Sequence, residues 1–350
     1  MCGIIGYIGK NEATPILLDG LKKVEYRGYD SSGIAVLSDG IECVKSVGKL
    51  DELEKKIKKC QLLGTMGLGH SRWATHGGVT EKNSHPHSDC KGKIFVVHNG
   101  IIENYKELKD KLKAKGHNFI SETDTEVFSH LIEHFFTGNL EDAVRKALVL
   151  VRGAYGIAVI AENDPDKIVA ARMFSPLVVS VNGKGGFIAS DPAAIVPYSQ
   201  KMTFLEDGDI AVITKKDFNI TDIKSRPKKR EEVELDWDVE SAQKGGYPHF
   251  MIKEIMAQPE SIADSIRGRI LKNSATPKLG RLESVKERMK KNQKINIIAC
   301  GTSYYASLIG KLLIEEFSGI PVEVDFASEL RYRKREIRSD EIFLFVSQSG

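Results

Sequence analysis

Along the first 220 residues, short apolar runs bounded by glycines alternate with stretches whose apolar positions recur every third or fourth residue. Residues 3–9 read as a buried strand, β-branched and aromatic between glycines. Residues 12–26 read as a helix, with Ile16, Leu17, Leu21 and Val24 on one broad face and Gly28 just past its end. Short strands are expected at 33–37, 42–46, 67–72 and 93–98, around a charged helix at 50–59. Three helices follow at 105–115, 125–136 and 140–151. Strands then return at 155–161, 167–171, 177–181, 186–189 and 210–214. Strands, then helices, then strands predict sheets packed face to face with helices outside.

The pattern changes at 223–247. Apolar residues thin out, Arg226-Pro227-Lys228-Lys229-Arg230 is followed by Glu231 and Glu232, and Gly245-Gly246 closes the stretch. This reads as a solvated linker whose charges cancel locally. A helix begins at Pro248 and is expected to stop before Pro259. Strands at 295–299, 321–324 and 342–346 then alternate with helices, one of them at 303–317, which predicts a parallel, doubly wound sheet.

Length and charge narrow the choices. With about 150 residues per domain, 350 residues make about two domains. Fifty-one Lys and Arg against 48 Asp and Glu leave +3, which excludes a nucleic-acid or anionic-membrane binder acting by bulk charge. No apolar run reaches the ~18 residues of a membrane span. The best, 148–161, is broken by Arg152 and two glycines. The N-terminus lacks the parts of a signal peptide. Five cysteines at 2, 43, 60, 90 and 300, with no Cys-x-x-Cys pair, argue for a reducing cytoplasmic setting and against a disulfide framework or zinc ribbon. His70, His76, His85, His87 and Cys90 match no metal-ligand spacing, so neither a metal nor a cofactor is expected.

Four segments carry candidate chemistry. Cys2 is either a small buried residue of the first strand or, once Met1 is removed, a thiol with a free α-amine on the same residue to act as its base. His70-Ser71-Arg72-Trp73-Ala74-Thr75-His76-Gly77 ends a strand with an arginine suited to a carboxylate. His98-Asn99-Gly100 ends another, where a side-chain amide and a main-chain N–H could converge on an oxyanion. Ser121-Glu122-Thr123-Asp124-Thr125 opens a helix, with Thr123 as its N-cap and Asp124 either functional or a charge on the helix dipole.

Together with Met1-Cys2-Gly3-Ile4-Ile5-Gly6 and Tyr26-Arg27-Gly28-Tyr29-Asp30-Ser31-Ser32-Gly33, these segments resemble the class II glutamine amidotransferases. Ile298-Ala299-Cys300-Gly301-Thr302-Ser303-Tyr304 and Val346-Ser347-Gln348-Ser349-Gly350 resemble the phosphosugar-isomerase (SIS) domain of the glutamine–fructose-6-phosphate aminotransferase family. The resemblance implies an α+β, four-layer αββα Ntn-hydrolase sandwich over 1–222, a linker over 223–247, and over 248–350 a partial α/β doubly wound SIS domain. It implies L-glutamine and D-fructose 6-phosphate as substrates, D-glucosamine 6-phosphate as product, and a homodimer through the SIS domain. Cys2 would be the nucleophile, with Asn99 and Gly100 holding the oxyanion. Arg72 would hold the glutamine α-carboxylate and Asp124 its α-ammonium, with Thr75, His76 and Gly77 completing the pocket. Arg27 and Tyr29 would close over the site, and Trp73 would gate ammonia. Thr302, Ser303, Ser347, Gln348 and Ser349 would hold the sugar phosphate. Family members continue past this point, so the chain is expected to end within its second domain and to retain only glutamine hydrolysis.

Overall fold

The computed structural model describes residues 2–74, 76–235, 247–266, 293–330 and 332–347, with shorter stretches between 270 and 290. Thr75, Gln348 and Ser349 lie outside the described residues. The chain divides into two units, Met1–Gly245 and Gly246–Gly350.

The first unit is built on two antiparallel sheets. One has eight strands in the order Glu232–Glu234, Lys201–Phe204, Val178–Asn182, Gly185–Ala189, Gly3–Gly9, Met66–Arg72, Ser31–Leu37 and Ile41–Val47. The other has six: Phe218–Thr221, Ile210–Ile213, Ile168–Met173, Gly153–Ala161, Ile94–Ile102 and His87–Ser88. Strand alternation explains the layering. Ile4 and Ile8 point between the sheets, where they meet Phe95, Val97, Ala158 and Ile160. Ile5 and Tyr7, of opposite parity, pack under the helices Ala13–Val24 and Leu50–Cys60. Ile94 and Val96 likewise face the helices Tyr105–Ala114, Glu126–Phe135 and Leu140–Leu150. Three apolar layers therefore separate four layers of structure, the αββα sandwich. Because both faces of each sheet are covered, the strands read as continuous apolar runs rather than alternating ones.

Two expectations are corrected in this unit. The strand expected at 93–98 runs on to Ile102, because Asn99-Gly100 is paired in register with Tyr155 and Gly156 rather than turning. Part of the expected linker is docked: Glu232–Glu234 pairs with Lys201–Phe204. Just before it, Arg230 makes a two-pronged contact with buried Asp209 at 2.8 Å on each arm. The basic run is thus locally neutralised, with one of its arginines anchored to a carboxylate rather than left in solvent.

In the second unit, Lys294–Ala299 lies between Val322–Phe326 and Glu341–Val346, all parallel. Helix Thr302–Ser318 starts behind Gly301 and ends at left-handed Gly319. The helix Phe250–Ile266 runs through Pro259 instead of stopping before it. Proline removes one N–H and crowds the preceding turn, at ~3 kcal/mol in a helix interior. Strong helix formers on both sides carry the element across it. Among the described residues no helix is long and apolar enough to cross a membrane.

Candidate active site

Cys2 leads into the Gly3–Gly9 strand, at the middle of the eight-stranded sheet. Arg72 and Trp73 come from the end of the neighbouring strand, where Ser71 pairs with Gly3. Asn99 and Gly100 come from the other sheet. They meet at a cavity of about 290 Å³ lined by Cys2, Arg27, Arg72, Trp73, His76, Asn99, Gly100 and Asp124, together with His85, His98, Thr123 and Thr125. Gly28 lets the Arg27 segment approach: a Cβ there would stand 2.7 and 2.8 Å from main-chain atoms of Arg72 and Trp73.

The Trp73 N–H donates to Cys2 Sγ at 3.2 Å. Burial raises the Cys2 thiol above its ordinary pKa; this N–H and the charges of Arg72 and Arg27 oppose that rise without reversing it. A protonated thiol at neutral pH needs a base before it can attack.

Asn99 is held from both ends of its amide. Its Nδ2 donates to the Cys2 carbonyl at 2.9 Å, and its Oδ1 faces His70 Nε2 at 3.1 Å. His70 Nε2 also faces the His98 carbonyl at 3.1 Å. Two oxygen acceptors assign the proton to Nε2, which orients the Asn99 amide with one N–H still directed away from Cys2 O. Gly100 supplies a second donor by strand parity. Glu103 N–H reaches Arg152 O and Glu162 N–H reaches Lys93 O, so odd-numbered residues of this strand exchange the ladder bonds with its neighbour. Even-numbered N–H groups point the other way: that of His98 to His85 Nδ1, that of Ile102 to Asp124 Oδ2. The Gly100 N–H lies between them. Only glycine fits there, since φ is +134° and a Cβ would stand 2.0 Å from Ala154 O.

Arg72 is buried, and its guanidinium donates to the carbonyls of His76, Gly77 and Gly78. It therefore organises the loop that Gly77 belongs to as well as facing the cavity. Asp124 keeps one oxygen on Ile102 N–H at 2.8 Å, leaving the other for a cation. Arg27 is tied to Asp191 at 2.8 Å, the carboxylate that also accepts from Tyr26. Tyr29 lies outside the lining and stands edge-on to half-exposed Trp73, ring centres 5.3 Å apart. Thr123 is not the N-cap. Helix Glu126–Phe135 is preceded by Thr125, and Thr123 Oγ1 instead meets His87 Nε2 at 3.1 Å and Ser121 Oγ at 2.9 Å.

Sequence reasoning missed the histidines behind this pocket. His70 stacks on His85 with ring centres 4.1 Å apart, His85 meets His87 edge-on, and His98 Nδ1 faces Thr125 Oγ1 at 2.8 Å. Burial drives His70 down to about 3 and His85 and His87 well below the usual imidazole range, so all three are neutral at pH 7. The signal was present in His70, His85 and His87, which the sequence offers only as metal ligands without a matching spacing.

In the second unit, Thr302 and Ser303 open a 17-residue helix just after the central strand, and Ser347 directly follows the parallel strand beside it. Both positions are at carboxyl ends of strands, and the strand order reverses between them.

Residues 70–197 match the family model of the glutamine amidotransferase domain and residues 288–350 that of the SIS domain. The chain is 49% identical over 351 residues to the glutamine–fructose-6-phosphate aminotransferase of Caldanaerobacter subterraneus subsp. tengcongensis. Its first unit carries a glutamine amidotransferase domain. Aminotransferases of the same description from Thermus thermophilus and Pyrococcus horikoshii are each 48% identical to the chain. These alignments take in 100% of the chain and 58%, 57% and 58% of the respective relatives, so it spans somewhat over half their length. Among solved structures, the phosphoribosylpyrophosphate amidotransferase of B. subtilis aligns over 96% of this chain and 71% of that one. Its TM-score is 0.56 and its identity 21%, a likeness of fold.

Proposed function

We propose that this amidotransferase hydrolyses L-glutamine at Cys2 and that, within the whole protein, the ammonia passes to D-fructose 6-phosphate to give D-glucosamine 6-phosphate. The observation that carries the first step is the convergence of a half-buried thiol, two N–H donors and an arginine–aspartate pair on one cavity. With Met1 removed, the Cys2 α-amine takes the thiol proton as sulfur attacks the glutamine side-chain carbonyl carbon. The negative charge that develops on that oxygen is met by Asn99 Nδ2–H and Gly100 N–H. The α-ammonium then returns its proton to the departing nitrogen, releasing ammonia and leaving a γ-glutamyl thioester. Water cleaves the thioester to glutamate and restores the thiol. Arg72 holds the substrate α-carboxylate and Asp124 its α-ammonium, so a simple amide lacking both charges is a poor substrate. Thr75, His76 and Gly77 complete the pocket, and Arg27, Tyr29 and Trp73 cover it.

For the second step, Thr302, Ser303, Ser347, Gln348 and Ser349 are the sugar-phosphate ligands. Hydroxyls and main-chain N–H groups at a helix start and a strand end suit a phosphate without lysine. The names of the relatives support fructose 6-phosphate as acceptor, and a second copy of the chain is the partner proposed for the second unit. Exposed Tyr305, Ile309, Leu312 and Phe317 on helix Thr302–Ser318 are apolar surface such contacts would cover.

Glutamate release from L-glutamine tests the first step. Wild type should be active with Met1 processed, and Cys2→Ala should fall to background with unchanged circular dichroism. Equal rates in the two proteins would end the proposal.

A further inference from the structure

The glutamine pocket leaves unexplained a second group of reactive side chains around helix Glu126–Phe135. Cys90 follows the His87–Ser88 strand, His117 follows helix Tyr105–Ala114, and His130 and Glu133 sit one turn apart on Glu126–Phe135. One ligand atom from each lies within 4.8 Å of all the others. We propose that Cys90, His117, His130 and Glu133 bind a divalent transition-metal ion, zinc by the nature of the donors.

Four of the six edges of the group can be set against a coordination tetrahedron. Cys90 Sγ is 3.7 Å from His117 Nδ1 and 3.5 Å from His130 Nδ1. Glu133 Oε2 is 2.8 Å from His117 Nδ1 and 3.3 Å from His130 Nδ1. Zinc bonds of ~2.3 Å to sulfur and ~2.0–2.1 Å to nitrogen or oxygen put sulfur about 3.6 Å from nitrogen, and nitrogen about 3.3 Å from oxygen. Of these four edges only His117–Glu133 must lengthen, by roughly half an ångström, and the remaining two lie within 4.8 Å. Thiolate and carboxylate together neutralise a dication, and thiolate with imidazole favours zinc over magnesium or calcium. On binding, the Cys90 S–H bond breaks, its proton leaves to solvent and sulfur bonds the metal.

The surroundings point the same way. His130 is buried, and its Nε2 lacks a hydrogen-bond partner while facing Glu126 Oε1 at 3.6 Å. Without a metal, a neutral His130 that donates from Nδ1 to Glu133 must turn its Nε2 lone pair toward the Glu126 carboxylate. Metal at Nδ1 moves the proton to Nε2, and the conflict becomes the carboxylate–histidine–metal arrangement that orients ligating imidazoles. Glu126 is held for that role by the N–H groups of Ile120 and Ser121 at 2.7 and 2.8 Å. The Asn118 N–H faces Cys90 Sγ at 3.4 Å, a donor suited to a thiolate. The ion would pin the Cys90 loop and the His117 loop to the helix whose other end presents Asp124 to the glutamine pocket.

The test is metal content by plasma mass spectrometry after equilibration with micromolar zinc, paired with cobalt substitution read as a sulfur-to-cobalt charge-transfer band. Wild type should hold about one zinc per chain and show the band. Cys90→Ser and His130→Ala should lose both, while Cys60→Ser, at an exposed thiol outside the cluster, and Cys2→Ala keep them. Circular dichroism guards against a misfolded His130→Ala, and the conservative change at exposed Cys90 stands if that variant fails. Wild type without zinc or cobalt, metal retained by Cys90→Ser, or metal lost by Cys2→Ala would each overturn the site.

Discussion

Two groups of histidines pack against helix Glu126–Phe135 and the turn before it, and the same side chain is used in opposite ways. Behind the Cys2 pocket, His70, His85, His87 and His98 are buried, His70 stacked on His85 and His87 edge-on to it, and their ring nitrogens meet main-chain groups, hydroxyls and the Asn99 amide. No sulfur or carboxylate joins those contacts, so the rings act as neutral polar struts. Around Cys90, two rings turn a nitrogen toward a shared point with a thiol and a carboxylate. The difference teaches that histidine density alone says little. What decides between strut and ligand is whether anionic donors converge with the ring nitrogens.

Acidification should separate the two groups most strongly. A histidine whose folded pKa is depressed stabilises the fold above its unfolded pKa of ~6.5 and loses that contribution as pH falls toward the folded value. For His70 that window runs from ~6.5 down to about 3. Each such histidine removes up to ~1.4 kcal/mol per pH unit within its window, and His85 and His87 add to the slope. Thermal melts at pH 7, 6 and 5 should show a steep fall in Tm with proton uptake on unfolding; a flat profile would mean these rings are not neutral struts.

Next in size is Asn99→Ala, expected to lower the glutaminase kcat by ~10²–10³ with secondary structure intact, the usual loss for one oxyanion donor. A drop confined to KM would assign Asn99 to ground-state binding instead. Chelation comes third. If zinc is bound at ~100 times its Kd, it adds ~2.7 kcal/mol of stability, or about 5–10 °C in Tm for a unit of this size. EDTA should remove that increment from wild type but leave Cys90→Ser unmoved; equal shifts in both proteins would disconnect the metal from the cluster. The smallest effect is that of His70→Phe, which keeps an aromatic ring against His85 but loses the Nε2 donor. Its kcat should drop ~10-fold with little change in KM, because Asn99 loses its orientation rather than its amide. An unchanged kcat would reduce His70 to a packing residue.

Much of this was legible in the sequence because burial on both sheet faces leaves uninterrupted apolar runs, and runs such as Ile4-Ile5-Gly6-Tyr7-Ile8 announce themselves. Three short strands were not. Lys201–Phe204 has two buried residues, Phe218–Thr221 one and Glu232–Glu234 none, so no periodicity survives. Asn99-Gly100 misled because that dipeptide usually turns; here the pairing across nine residues overrides local preference. Cys2, Arg72 and Asp124 stood out within motifs because each sits near the start or end of a strand or helix, whereas Asn99-Gly100 stood out by residue type alone. The Cys90 group did not, because its members are separated by 27, 13 and 3 positions and only the three-dimensional fold joins them.

The Gly100 donor depends on counting. Its direction is set by whether its position in the ladder is odd or even, so one residue inserted between Phe95 and Asn99 would exchange the two faces of the downstream strand and turn that N–H toward Gly153–Ala161. Two inserted residues would restore it, displaced along the strand. For anyone moving this half of the site to another scaffold, the transferable unit is therefore a dipeptide with a parity rule. Any antiparallel sheet with an open edge at the right count could receive it, whereas a grafted loop of the same composition would carry no such guarantee.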